Sequence, residues 1–224
     1  MSTKSKWLIR TAFWLYMLYV YLTVVRHNSF YSFLLLNTFL AYIPIELSFH
    51  IREKQTGLLF YPLLIGWLLF YPNAPYILTD LFHLARMTPY NPTTGLMSFN
   101  LHMWLNFTNL VSSALAAALI GNWSLQYVAD VICLRFKLHN NFGRLSIVTL
   151  LLLLSSVGIY VGRFLRLHTA YLFLNPNWVI EQLLNMWSIR MLAFVCFMFL
   201  LQLIIWLSTY LSYLAFRNMD SKFN

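Results

Sequence analysis

Gly66-Trp67-Leu68-Leu69-Phe70-Tyr71-Pro72-Asn73-Ala74-Pro75-Tyr76-Ile77-Leu78-Thr79-Asp80-Leu81-Phe82-His83 decides how this chain is read. It begins as membrane-grade apolar sequence, meets Pro72 and Pro75, and ends on Thr79, Asp80 and His83. Each proline removes an amide donor and clashes with the helical turn before it. In hydrocarbon the freed carbonyls need other partners, so such a break belongs at a membrane boundary or in a protein-lined cavity. The stretch predicts a helix that enters the bilayer, breaks at Pro72 and leaves as polar sequence.

Composition extends that reading to the whole chain. Its 224 residues are 60% hydrophobic, 18% aromatic and only 9% charged. Soluble domains carry roughly 25% charged residues. At about 20 residues per crossing, five to seven spans use most of the length. The net charge of +9 does not indicate nucleic acid, because the basic residues lie scattered between apolar runs. They suit membrane loops and lipid headgroups. Cys133 and Cys196 stand far apart without CxxC spacing. Cys196, inside an apolar run, reads as a buried free thiol. No metal motif occurs and no cofactor is expected. The first apolar run has no small-residue cleavage pattern, so it reads as a retained span.

The predicted fold is an all-α polytopic membrane protein, one membrane domain over residues 1–224 with about six spans. These fall near 7–25, 30–48, 56–78, 97–120, 145–162 and 191–214. Arg10 is expected to snorkel at the start of the first, and Pro44 and Glu46 to mark the exit of the second. Residues 124–134, with Ser124 as a cap and Gln126 and Asp130 on one side, read as an amphipathic interfacial helix. So does 168–186, which Pro176 interrupts.

Two polar features stand out beyond the proline break. His102, Asn106, Asn109 and Ser113 recur at spacings that place them on one helical face. Such a face in the bilayer turns toward the bundle interior or a water-filled cavity. Ser155, Gly158, Gly162 and Arg166 share another face. Gly158-Ile159-Tyr160-Val161-Gly162 has the small-xxx-small spacing that lets backbones touch, and the same helix delivers Arg163 and Arg166. Asn37 is a lone amide in the second span, suited to an interhelical bond.

With the N-terminus inside, ten basic residues, including all five lysines, fall on the inner side and Arg26, Arg86, Arg163, Arg166 and Arg190 on the outer. This obeys the positive-inside rule. It also puts the proline break and the Gly162-Arg163-Phe164-Leu165-Arg166 end at one face.

Pro72-Asn73-Ala74-Pro75-Tyr76-Ile77-Leu78-Thr79-Asp80-Leu81-Phe82-His83-Leu84 and Gly158-Ile159-Tyr160-Val161-Gly162-Arg163-Phe164-Leu165-Arg166 together resemble the DUF1361 family of bacterial integral membrane proteins. The resemblance spans nearly the full length. It implies a multi-pass protein of the bacterial cytoplasmic membrane and, since the family has no assigned activity, little function. The family-like polar positions are Asn73, Tyr76, Thr79, Asp80, His83, Arg163 and Arg166. The resemblance also marks two departures: Asn100 stands where relatives carry an acid, and His168-Thr169-Ala170-Tyr171 where they read Asn-Ser-Trp-Asp.

Several readings of these residues stay open. Asp80 and His83, at i,i+3, suit a structural pair in which Asp80 meets an arginine and Thr79 or Asp80 caps a helix, a ligand site, or a general base. As metal ligands the two fall short of the three or four needed. Arg163 and Arg166 suit an anion or lipid headgroup, with one arginine paired and the other free. Asn73 is expected to tether the broken backbone and Tyr76 to anchor at headgroup level. His102, Asn106 and Asn109 suit either an interhelical bonding ladder or the lining of a cavity beneath this site. Three functions are consistent: binding or translocating a small anionic or amphiphilic ligand, which for a bundle this small calls for a homo-oligomer; a non-catalytic assembly or scaffold role; and an enzyme acting on a lipid-linked or phosphorylated group. Membrane lipids are the expected partners and nucleic acid is not.

Overall fold

The computed structural model describes residues 1–26, 29–138, 140–167 and 171–223, without the side chains of 172–173 and 217–223. In chain order the helices are α1 (Thr3–Val20), α2 (Phe33–Ser48), α3 (Gly57–Phe70), α4 (Asn73–Tyr76), α5 (Leu101–Arg135), α6 (Asn141–Tyr160), α7 (Tyr171–Leu174), α8 (Pro176–Asn185) and α9 (Ile189–Phe223). A 3₁₀ turn, Phe30–Ser32, leads into α2, and a 3₁₀ helix, Ile77–Arg86, succeeds α4. Single π turns, Tyr21–Val25 and Val161–Leu165, end α1 and α6. Among the described residues six helical stretches are long and apolar enough to cross a membrane, so the protein is a multi-pass membrane protein. Among the described residues the only β feature is one isolated bridge, Tyr90–Met97.

The hydrogen bonds explain where the third span breaks. Tyr71 would ordinarily accept from residue 75, but Pro75 has no N–H. Ala74 N donates to Tyr71 O instead, at 3.0 Å. That leaves Phe70 O without its i+4 donor, and Asn73 Nδ2 supplies one at 2.9 Å. Asn73 thus tethers the break. The 3₁₀ helix beyond it is ten residues long, where runs above three or four are uncommon. It lies against α5 and α2, which hold it.

α5 is the mast of the bundle, packed by α2, α4, the 3₁₀ helix, α6 and α9. It is one unbroken helix of 35 residues. The expected span 97–120 and separate interfacial helix 124–134 are therefore corrected. Gly121 reads as a breaker but marks a close approach: a Cβ there would lie 2.6 Å from Ala74 Cβ. Ser124 caps nothing; it is buried and accepts the Trp67 indole N–H at 2.8 Å. Residues 97–100 belong to the preceding connection. Asn100 is the N-cap, its Oδ1 accepting from His102 N at 3.0 Å and Met103 N at 3.3 Å.

Other boundaries move for local reasons. α2 runs through Pro44 and ends at Ser48. α6 starts at Asn141, where Asn140 Oδ1 accepts from Gly143 N at 2.9 Å. The expected interfacial stretch 168–186 contains the short α7 and α8; its residues 168–170 lie outside the described ones. Arg10 finds its partner on the second span. It grips Glu46 with two bonds, at 2.9 and 2.6 Å, and staples α1 to α2. Cys196 faces outward from α9 rather than into the core, while Cys133 is buried.

The two ends of the bundle differ. Lys4, Lys6, Lys54 and Lys137 gather at one, the lysine end, where Lys6 donates to Phe49 O at 2.8 Å and Arg135 to Glu53 O and Gln55 O. The opposite, arginine end holds Arg26, Arg86, Arg163, Arg166 and Arg190. There the proline break is clasped between helices. A Cβ at Gly158 would overlap the Pro72 ring, and one at Gly162 would touch the Tyr76 ring at 3.5 Å.

Gly158→Ala is expected to cost about 1–3 kcal/mol through that overlap. Gly66→Ala meets only Leu47 Cδ1 at 3.8 Å and should leave stability unchanged or slightly raised. Thermal unfolding of both variants in detergent, monitored by tryptophan fluorescence, checks the contrast.

Candidate functional site

The polar cluster at the arginine end is built by three helices. The 3₁₀ helix supplies Asp80, whose side chain is 1% exposed. Its Oδ2 accepts from Asn37 Nδ2 of α2 at 2.6 Å, and its Oδ1 from Arg163 of the π turn at 3.2 Å. The same Arg163 nitrogen donates to Tyr76 Oη at 3.3 Å, and the other terminal nitrogen to Thr79 O at 3.3 Å. Both carboxylate oxygens are therefore occupied and its charge is matched. Such a pair is hard to break, because an unpaired ion left in a low-dielectric site keeps its full desolvation cost.

The π turn selects which arginine arrives. In a plain α-helix Arg166 would continue the face of Gly158 and Gly162. The wider winding rotates the residues beyond Val161 out of that register, and the helix stops at Arg166 itself, in the left-handed region at φ 53°. Arg163 consequently enters the cluster. Arg166 is exposed and, among the described residues, has no hydrogen bond or ion pair.

His83 is beside Asp80 but not on its carboxylate. The imidazole Nδ1 lies 2.9 Å from the Asp80 backbone oxygen, and the ring packs on Phe33 with centroids 4.3 Å apart. The carboxylate therefore does not orient the imidazole, and the general-base reading loses its geometric support. Neither Thr79 nor Asp80 caps a helix: the Thr79 hydroxyl donates back to Tyr76 O at 2.7 Å. Tyr76 is a partner of Arg163.

The polar face of α5 does not join this cluster. Asn109 turns toward α1, where Tyr19 donates to its Oδ1 at 3.2 Å and Tyr16 to its backbone oxygen at 2.8 Å. His102 is exposed and, with Asn106, lines a cleft of about 410 Å³ beside Thr23, Val24 and Ser29. No residue of the Asp80 cluster lines it. The expected cavity beneath the site is thus a separate groove near the end of α1. Among the described residues no three His, Cys, Asp or Glu side chains gather as metal ligands would.

Sequence reasoning missed Asn37 as part of this site. Its available signal was one amide in an otherwise apolar span, and the bond it makes is interhelical as expected; the partner was not legible.

A family model described as "Protein of unknown function (DUF1361)" matches residues 36–205. The chain belongs to the DUF1361 family. No curated protein and no solved structure matches it. The matched range contains Asn37, Asp80 and Arg163, every residue of the charged cluster, and leaves out α1. The Asn100 departure noted for this DUF1361 chain is mild in structural terms, since Asn and Asp serve equally well as N-caps. Of the other departure, 168–170 lie outside the described residues and Tyr171 opens α7.

Arg163→Ala strands the buried carboxylate and is expected to destabilise the protein by about 3–5 kcal/mol. Arg166→Ala should change stability by less than about 0.5 kcal/mol, as surface substitutions do. Urea or thermal unfolding in a constant detergent distinguishes the two.

Proposed function

We propose that this protein is a non-catalytic membrane assembly or scaffold component, and that the Asp80–Arg163–Asn37 cluster is its internal lock. The observation that carries this reading is the pairing of Asp80: it is buried, both oxygens are bonded, and the clefts of about 620 and 410 Å³ are lined by none of the cluster's residues. A translocation or reaction site needs groups free to meet a substrate. Here the groups meet one another. The positive-inside rule supports a lysine end in the cytoplasm of a bacterial cell, with the cluster on the outer side.

A second reading is favoured by Arg166. It is exposed beside Arg163, whose own side chain is 25% exposed. The guanidinium of Arg166 suits an anionic small molecule or the phosphate of a lipid headgroup. On this reading the lock presents a binding arginine, and the ligand-handling part is Arg166 alone.

In cells whose own copy is deleted, the double variant Asp80→Asn/Arg163→Gln should accumulate in the membrane far better than Arg163→Ala. It should also restore the phenotype in proportion to that abundance. Immunoblotting of membranes alongside the growth phenotype measures both. Loss of phenotype at full abundance and unchanged melting would instead make the charged pair itself the working part, and the scaffold reading would fail.

A further inference from the structure

A cleft of about 620 Å³ opens near the lysine end between α5, α9 and the start of α6. That volume lies within the roughly 300–1,000 Å³ of small-molecule sites. Asn122, Gln126 and Asp130 line it from α5, each four residues from the next and so on one face. Thr209 lines it from α9 and Arg144 from α6. None of these residues takes part in the arginine-end cluster.

The bonds inside the cleft leave particular groups over. Asn122 Nδ2 and Gln126 Nε2 both donate to Thr209 Oγ1, at 2.6 and 3.3 Å. The Thr209 hydroxyl proton turns back to its own helix, toward Ile205 O and Trp206 O. Each amide keeps a carbonyl oxygen and a second N–H without a partner among the described residues. Asn122 does so although it is only 4% exposed. Arg144 Nε donates to Asp130 Oδ1 at 2.6 Å, which leaves Asp130 Oδ2 and both terminal guanidinium nitrogens unused. Spare polar capacity is costly at a buried residue such as Asn122 unless something fills it, and the half-exposed Asp130 and part-exposed Arg144 stay open to a ligand.

The charges select the occupant. An anionic headgroup on Arg144 would also meet the spare carboxylate oxygen of Asp130. A purely cationic headgroup would meet the arginine. A headgroup with both signs satisfies both residues, and a primary ammonium can donate to Asp130 where a quaternary one cannot. Depth agrees: Gln126 and Asn122 lie about 6 and 12 Å along the helix from Asp130 at 1.5 Å per residue, the zone below a headgroup. Trp123 and Tyr127, stacked at 5.5 Å, form a wall of the amphipathic kind found at membrane interfaces.

We propose that this cleft binds one zwitterionic phospholipid bearing a primary amine. Its ammonium donates to Asp130 Oδ2, its phosphate accepts from Arg144, and its ester carbonyls accept the free amide N–H groups of Gln126 and Asn122. This site is independent of the locking role of Asp80.

The full chain, delipidated in detergent, is titrated with phosphatidylethanolamine, phosphatidylcholine and phosphatidylglycerol of matched acyl chains, and native mass spectrometry reads occupancy. Phosphatidylethanolamine should bind at least about tenfold more tightly than either of the others, the scale of one charge-assisted hydrogen bond. Asp130→Asn should abolish that preference without weakening phosphatidylglycerol. Gln126→Leu, which leaves the ion pair alone, should weaken all three lipids and preserve their order. Equal affinity for the three headgroups in the unmodified protein would overturn the proposal, and needs no variant to fold. So would a preference that survives Asp130→Asn.

Discussion

A carboxylate sealed inside a membrane protein needs a cation held against it, and here the need is met by Arg163. Asp80 sits on a helix already weakened by two prolines, and Arg163 on a helix end already unwinding. Each segment alone is poorly formed. Joined, they fix one another, because the guanidinium bonds the carboxylate and the backbone oxygen of Thr79 together. Asn37 extends the joint to α2. Three spans are thereby fastened at one point, and the glycine contacts at 158 and 162 bring the backbones close enough for it.

Elsewhere the bundle relies on size rather than charge. Along α5, Ala114, Ala117 and Gly121 face Ile77, Ala41 and Ala74. Small residues there let the interrupted third span lie flush against the mast. Without the hydrophobic effect to drive helices together in lipid, such close contact is what gives them a preferred arrangement. The buried Trp67–Ser124 bond adds direction to that packing.

Much of this was legible in the chain. Long apolar runs marked the spans, Pro72 and Pro75 marked the break, and the spacing of Gly158 and Gly162 marked a contact face. Charge distribution put Asp80 and Arg163 at one end of the bundle, and the structure has them bonded there. What escaped depends on partners that sequence does not display. Gly121 looks like a terminator until Ala74 is seen beneath it. Asn37 looks solitary until Asp80 arrives from another span. Arg166 fits the helical wheel better than Arg163 does, and only the wider π winding reverses the choice. Periodicity gave Asn109 either an interhelical bond or a place beneath the arginine-end site, and the tyrosines of α1 supply the bond.

That π winding makes the length of one short segment matter as well as its side chains. A turn of i→i+5 bonds between Val161 and Leu165 carries a surplus residue relative to regular helix. Losing Val161 or Gly162 would turn Arg163 and everything downstream by about 100°. The guanidinium would then leave the carboxylate without its counter-ion. The segment thus works as a rotational spacer, in which the number of residues matters alongside the identity of Arg163.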